Sequence, residues 1–150
     1  MKSVPLQIAR RPGTEDLPLP AYMSEAASGM DVCAAVDAPV LIEPRTVALI
    51  PTGLFLAVPR GYEIQVRPRS GLALRHGITV ANAPGTIDAD YRGEVGILLG
   101  NISSEPFAVT RGMRVAQLVV QEVVRAQPVV VEALVETERG AGGFGSSGLH

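Results

Sequence analysis

A chain of 150 residues, 47% of them apolar, is long enough for one domain with a sizeable core and too apolar for a disordered tail. A net charge of −2, with acids and bases intermixed, excludes a broad duplex nucleic-acid surface but leaves room for a compact anion pocket. Aromatics are only 4% and Trp is absent, so the core must be aliphatic, and the single cysteine, Cys33, excludes an internal disulfide.

Near the N-terminus Val4, Leu6 and Ile8 alternate with other residues at the two-residue period of a strand. No apolar stretch there is long enough for a signal peptide. Residues 11–28 are polar and proline-bearing, which predicts a long surface connection. Residues 47–58 hold two apolar runs around Pro51, Thr52 and Gly53. Tyr62, Ile64 and Val66 alternate with Glu63, Gln65 and Arg67, a strand with one wet face. Residues 70–75 predict the one short helix, with Ser70 as N-cap and Gly77 as the left-handed residue that closes it. Residues 94–99, 113–121 and 128–131 follow as further strands. Turn signals separate them at Pro59-Arg60-Gly61, Ala83-Pro84-Gly85, Ser103-Ser104-Glu105-Pro106 and Arg111-Gly112. The richest apolar region, 115–124, is interrupted by Gln117, Gln121 and Glu122, well short of a membrane span. Many short strands with Gly and Pro punctuation predict an all-β sandwich, jelly roll or barrel, and a cytoplasmic location is expected. From position 139 the chain becomes Gly/Ser-rich, which predicts a core domain over 1–138 and a flexible arm over 139–150.

Several chemistries lack their motifs. The chain has no Gly-x-x-x-x-Gly-Lys loop and no His-Glu-x-x-His. With one Cys and two His, a zinc site has too few ligands, and a Ser/His/Asp triad would depend on His76 in a helix-ending signal. Cys33 reads as a small core residue and His76 as helix-end structure.

Three segments place polar groups where chemistry needs them. Asp31 enters an apolar run (Ala27-Ser28-Gly29-Met30-Asp31-Val32), where a carboxylate must be solvated, paired or coordinating; a strand-start cap is the plainer alternative. Arg69-Ser70-Gly71-Leu72-Ala73 sets a planar cation ahead of a helix N-terminus, a pattern suited to phosphate oxygens but also to a simple capped helix. Asp88 and Asp90 lie two residues apart before Tyr91; extended backbone would point both the same way, and a turn would not.

Together with Arg111-Gly112-Met113-Arg114-Val115-Ala116-Gln117-Leu118 and the tail Glu138-Arg139-Gly140-Ala141-Gly142-Gly143-Phe144-Gly145-Ser146-Ser147-Gly148, these segments resemble the five motifs of the trimeric dUTPases, in the family's order. The departures are Met113, where an acid is frequent, and Met30 before Asp31. The resemblance implies a distorted jelly-roll or β-barrel fold, a homotrimer with shared active sites, and Mg²⁺-dependent hydrolysis of dUTP to dUMP and pyrophosphate. That reaction keeps uracil out of DNA and supplies dUMP for dTMP synthesis.

By position, the resemblance makes Asp88 the general base for water attack on the α-phosphorus and Asp31 an outer-shell Mg²⁺ contact. It assigns Arg69, Ser70, Gly71 and Gln117 to the phosphates. Asn82, Thr86 and Ile87 fall to a uracil-reading β-hairpin, and Tyr91 to the face under deoxyribose. In the tail, Phe144 would stack on uracil, and Arg139, Gly145, Ser146 and Ser147 would hold the terminal phosphates. Alternatives are a dCTP deaminase of the same fold, whose motif has Ser-Ser where this chain has Ser70-Gly71, and a non-catalytic nucleotide-binding regulator.

Overall fold

The computed structural model describes residues 3–144. The elements, in chain order, are β1 (Gln7–Arg10), β2 (Ala21–Tyr22), β3 (Met30–Cys33), β4 (Val40–Ile42), β5 (Val47–Ala57), β6 (Tyr62–Arg67), α1 (Ser70–His76), β7 (Ile78–Val80), β8 (Gly85–Ile87), β9 (Glu94–Asn101), β10 (Phe107–Val109) and β11 (Arg114–Glu122). They pair, antiparallel throughout, as β1-β5-β9-β7, as β2-β3-β11-β6-β8, and as the two-stranded ribbon β10-β4. The described residues are therefore mostly β with one short helix. Strand pairing gives two larger sheets and a ribbon, and does not by itself establish a closed barrel.

Alternation decides which side chains meet between the sheets. In β6, Ile64 and Val66 are buried while Gln65 and Arg67 are half-exposed, the wet face expected of that strand. Ile50, Leu54 and Leu56 of β5 and Val95, Ile97 and Leu99 of β9 join Val32, Ile64, Val66, Ile87 and Leu118 of the other sheet in one aliphatic core. Each such side chain, fully buried, contributes about 1.5–3 kcal/mol. Cys33 lies in this interior, and burial raises its thiol pKa. Among the described residues no helix is long and apolar enough to cross a membrane.

The two apolar runs of residues 47–58 are one strand, β5, whose register against β9 shifts between Pro51 and Phe55. Gly53 sits in that irregularity at φ +68, and a Cβ there would stand 2.7 Å from Thr14 Cγ2. Only glycine combines that backbone with that contact. The 11–28 connection is less superficial than its composition implies, because Thr14 and Leu17 are buried. Arg10 donates to the Thr14 and Leu17 carbonyls, and Arg111 binds Asp16 at 2.6 Å.

Asn101 is the main buried polar side chain of the ribbon end. Its Nδ2 donates to the carbonyls of Ile42 (3.0 Å) and Glu105 (2.7 Å), while its Oδ1 accepts from Ser103 N and Oγ. Helix α1 extends to His76, whose ring stands 5.1 Å from that of Phe107, and closes on Gly77 at φ 62 as predicted. Ser70, however, is not its N-cap. Arg69 holds that position in an extended conformation, and its carbonyl accepts the Leu72 and Ala73 amides, so Ser70 is the first helical residue. Residues 128–131 form no strand. They are an exposed extension beyond β11, with Val130 almost fully solvated, because in one chain no sheet edge receives them.

Candidate active site

The second sheet brings the first group of polar residues together. Its strands β3, β11 and β6 are neighbours, and the register sets Asp31 opposite Gln117 and Gln117 opposite Arg67. Cross-strand partners share a face, so an acid, an amide and a cation from distant positions line up there. Gln117 Nε2 donates to the Pro68 carbonyl at 3.0 Å, tying β11 to the segment that precedes α1. Gly29 makes room for this amide, since a Cβ at position 29 would run into Gln117 Oε1.

Asp31 is the centre of the group. Its Oδ2 receives both Arg69 Nη2 (3.2 Å) and Arg114 Nη1 (3.1 Å), and Arg69 Nη1 donates to the Arg114 carbonyl at 3.0 Å. The Asp31 side chain keeps only 15% of its exposure, against 27% for Arg69 and 45% for Arg114. A half-buried carboxylate is thus paired twice on one oxygen, one of the states left open at position 31. Ser70 and Gly71 follow Arg69 at the start of the helix, Ser70 exposed. Met113 packs partly against the core, and the neighbouring Arg111 takes its anion from Asp16.

A second group forms where the chain passes from one sheet to the other. Strand β8 pairs with β6, whereas β9 pairs with β5 and β7. The expected β-hairpin around Asn82, Thr86 and Ile87 would join β7 to β8, but these strands lie in different sheets, and β8 ladders with neither β7 nor β9, so the chain crosses between sheets here. The elbow of that crossing holds a cavity of about 180 Å³ lined by Val66, Asn82, Thr86, Ile87, Asp88 and Tyr91 among others. Asp88 directly follows β8 and is exposed. Its carbonyl accepts the Tyr91 amide at 3.2 Å, so residues 88–91 form a turn and Asp88 and Asp90 do not share an extended backbone. The Tyr91 hydroxyl donates to the Glu94 carbonyl at 3.0 Å. Glu94 in turn is fixed by its carboxylate, which accepts the Gly53 amide at 2.8 Å and faces Arg11.

No residue is common to the Asp31 group and the cavity lining. Of the tail, Arg139 donates to the Gly142 carbonyl and Phe144 is fully exposed; Gly145, Ser146 and Ser147 lie outside the described residues. Among the described residues no three His, Cys, Asp or Glu side chains gather as metal ligands. The sequence reading passed over Arg114, Gly93 and Arg67. Arg67 and Arg114 carried signals, the wet face of β6 and a place in the fourth motif-like run; Gly93 becomes visible through close packing.

The dUTPase family model matches residues 15–148. The deoxyuridine 5'-triphosphate nucleotidohydrolase of Desulfotalea psychrophila (strain LSv54 / DSM 12343) is 60% identical over 136 residues, covering 91% of each protein. Among solved structures, Staphylococcus bacteriophage 80alpha dUTPase with dUPNHPP superimposes with a TM-score of 0.86 at 25% identity, over 98% of this chain and all (100%) of that one. A point mutant of the dUTPase from phage phi11 of S. aureus, solved with the coordination of a structural Mg(II) ion, shares the fold at 22% identity and a TM-score of 0.77, over 89% of this chain and 100% of that one.

Proposed function

The chain belongs to the dUTPase family, and from that premise we propose that it cleaves dUTP by attack of water on the α-phosphorus, with Asp88 as general base. The observation that carries this reading is the cavity of about 180 Å³ with Asp88 and Tyr91 at its wall. Cavities of about 150 Å³ accept a benzene-sized ring, so the space suits one pyrimidine and not a whole nucleotide. Uracil fills it against Asn82, Thr86 and Ile87, and the extra methyl of thymine overpacks it. Tyr91 lies under the deoxyribose, where a 2′-hydroxyl would collide.

The triphosphate runs to Arg69, Ser70, Gly71 and Gln117. Ser70 fits this role better as an exposed first helical residue than as a cap, because its hydroxyl is not consumed by the helix. Asp88 orients the water and takes its proton, a contribution of about 10²–10⁴-fold.

The donor set fits Mg²⁺ held chiefly by phosphate oxygens and water, with Asp31 in the outer shell, since one paired carboxylate and no acidic cluster stand there. Bound Mg²⁺ neutralises phosphate charge; positioning is the work of the chain's own residues.

A homotrimer with shared sites is part of the same reading. Two features support it: the Asp31 group and the cavity lining share no residue in one chain, and the segment after β11 exposes Val124, Val129, Val130, Leu134, Val135 and Phe144. The arm of residues 139–150 then closes over the nucleotide of another subunit, Phe144 on the base and Arg139, Gly145, Ser146 and Ser147 on the phosphates.

The test is Mg²⁺-dependent pyrophosphate release from dUTP, dTTP and UTP, with Asp88→Asn as control. Turnover of dUTP with little of the others is expected, and loss of about 10²-fold or more in the variant. Equal turnover of all three substrates would sink the pocket assignment; an undiminished variant would remove Asp88 from the mechanism.

A further inference from the structure

Tyr91 does not hold its position by burial, for it is 45% exposed. Its ring instead folds back over the following residues until the hydroxyl meets the Glu94 carbonyl at 3.0 Å. That path crosses position 93. A Cβ built on Gly93 would stand 2.6 Å from Tyr91 Cζ and 3.0 Å from Cε2, and closer still to the hydroxyl oxygen. Real Cβ contacts essentially never fall below 3.0 Å, so the approach to Cζ and the hydroxyl makes any side chain at position 93 and the present ring position mutually exclusive. Gly93 has no positive φ, so its backbone does not itself demand glycine. The three heavy atoms nearest to such a methyl all belong to the Tyr91 side chain.

The other end of the device is rigid. Glu94 begins β9, its carboxylate accepts the Gly53 amide at 2.8 Å, and Arg11 stands 3.4 Å away. The carbonyl that receives the Tyr91 hydroxyl is therefore anchored to β5, and the ring is hung between an anchored acceptor and a gap left by a missing side chain.

We propose that Gly93 is a specificity-determining positioning residue: its bare Cα is the berth that holds the Tyr91 ring against the cavity, and so sets the wall that rejects a 2′-hydroxyl. The inference deepens the functional reading above and rests on its assignment of Tyr91 to the sugar. Gly93 touches no substrate in this scheme and acts through Tyr91 alone. Displacement of a half-exposed ring into solvent costs the fold little, so Gly93→Ala should remain folded and lose discrimination rather than stability.

The experiment measures kcat/KM for dUTP and for UTP in the wild type, Gly93→Ala, Tyr91→Ala and the double variant, with thermal melting alongside. Gly93→Ala should lower the dUTP-to-UTP ratio by about tenfold or more, within the range that a pocket contact controls. The double variant should match Tyr91→Ala within about twofold, because residues acting through one another are not additive. An unchanged ratio in Gly93→Ala, effects that multiply in the double variant, or collapse of the fold each overturns the proposal. A second measurement separates the berth from the sugar assignment. In ¹³C-labelled tyrosine ring spectra, assigned by Tyr91→Phe, the Tyr91 resonance should move toward its solvated position in Gly93→Ala, and a stationary resonance refutes the berth. Wild-type protein that takes UTP as readily as dUTP would instead remove Tyr91 from sugar selection, while the ring spectrum still decides whether Gly93 seats it.

Discussion

Replacing Arg114 by Gln takes one of two guanidinium groups from Asp31 and leaves the other in place. The lost contact is a charge-assisted bond of 3.1 Å to a carboxylate that retains 15% of its exposure, from an arginine that retains 45%. A buried bond of this kind contributes about 1.5–3 kcal/mol, and a fully exposed pair about 0.2–1 kcal/mol. Discounted for the solvent around Arg114, the loss is about 1 kcal/mol, or about 2–4 °C in Tm for a domain of this size. Asp31→Asn should cost more, about 2–3 kcal/mol, because both pairs are lost and two guanidinium groups then face each other without an anion. Urea denaturation of the two single variants and the double variant closes a cycle whose coupling energy should be about 1 kcal/mol and should shrink in high salt. The functional consequence follows if Arg69 turns toward the triphosphate: Arg114 is then what retains Asp31, and Arg114→Gln should raise KM for dUTP more than it lowers kcat. A coupling within the usual additivity error of about 0.3–0.5 kcal/mol would show that the clamp is geometry without energy.

Asn101→Ala should be among the costlier single substitutions, about 2–3 kcal/mol by chemical denaturation, since it removes the amide bonds to the Ile42 and Glu105 carbonyls and to Ser103; a loss below about 1 kcal/mol would mean that water replaces the amide. The Arg111 hydrogen bond holds the Asp16 carboxyl below its ordinary range. A lowered folded pKa gives stability that is present above the unfolded value, about 3.9, and is lost as pH falls through the folded one. The Tm difference between wild type and Asp16→Asn should therefore be present near pH 5 and close on further acidification, and a difference that stays constant would contradict it. Deletion of residues 138–150 should abolish dUTP turnover while light scattering still reports a trimer; unchanged kcat would remove the arm from the site.

What could be read from the chain alone was whatever depends on near neighbours. The wet face of β6, the αL glycine at position 77 and the aliphatic core follow from local period and residue type, and all appear as expected. Ser70 was misplaced by one residue for a local reason as well: an extended Arg69 can begin a helix without any side-chain cap, and its carbonyl does so here. The misreading of residues 128–131 has a different cause. Alternation and β-branching describe a segment that would fit a sheet, but not whether a sheet edge is available to it.

The site was legible in its residue types and not in its partnerships. Asp31 and Arg114 are 83 positions apart and meet only because β11 lies between β3 and β6. Likewise, Asp88 and Asp90 resemble a strand pair until the Tyr91 amide turns back to the Asp88 carbonyl. That turn releases the chain from one sheet and sends it to the other, and the space left at the crossing is the cavity. Gly93 makes the same point at the scale of one atom. Sequence shows a small residue after Arg92, but its consequence, a ring lying where a Cβ would be, exists only once Glu94 has been fixed by Gly53 and Arg11. The pocket is thus an outcome of where the chain passes from one sheet to the other, and if Gly93 seats Tyr91 as proposed, its selectivity depends on a residue that need never touch the nucleotide.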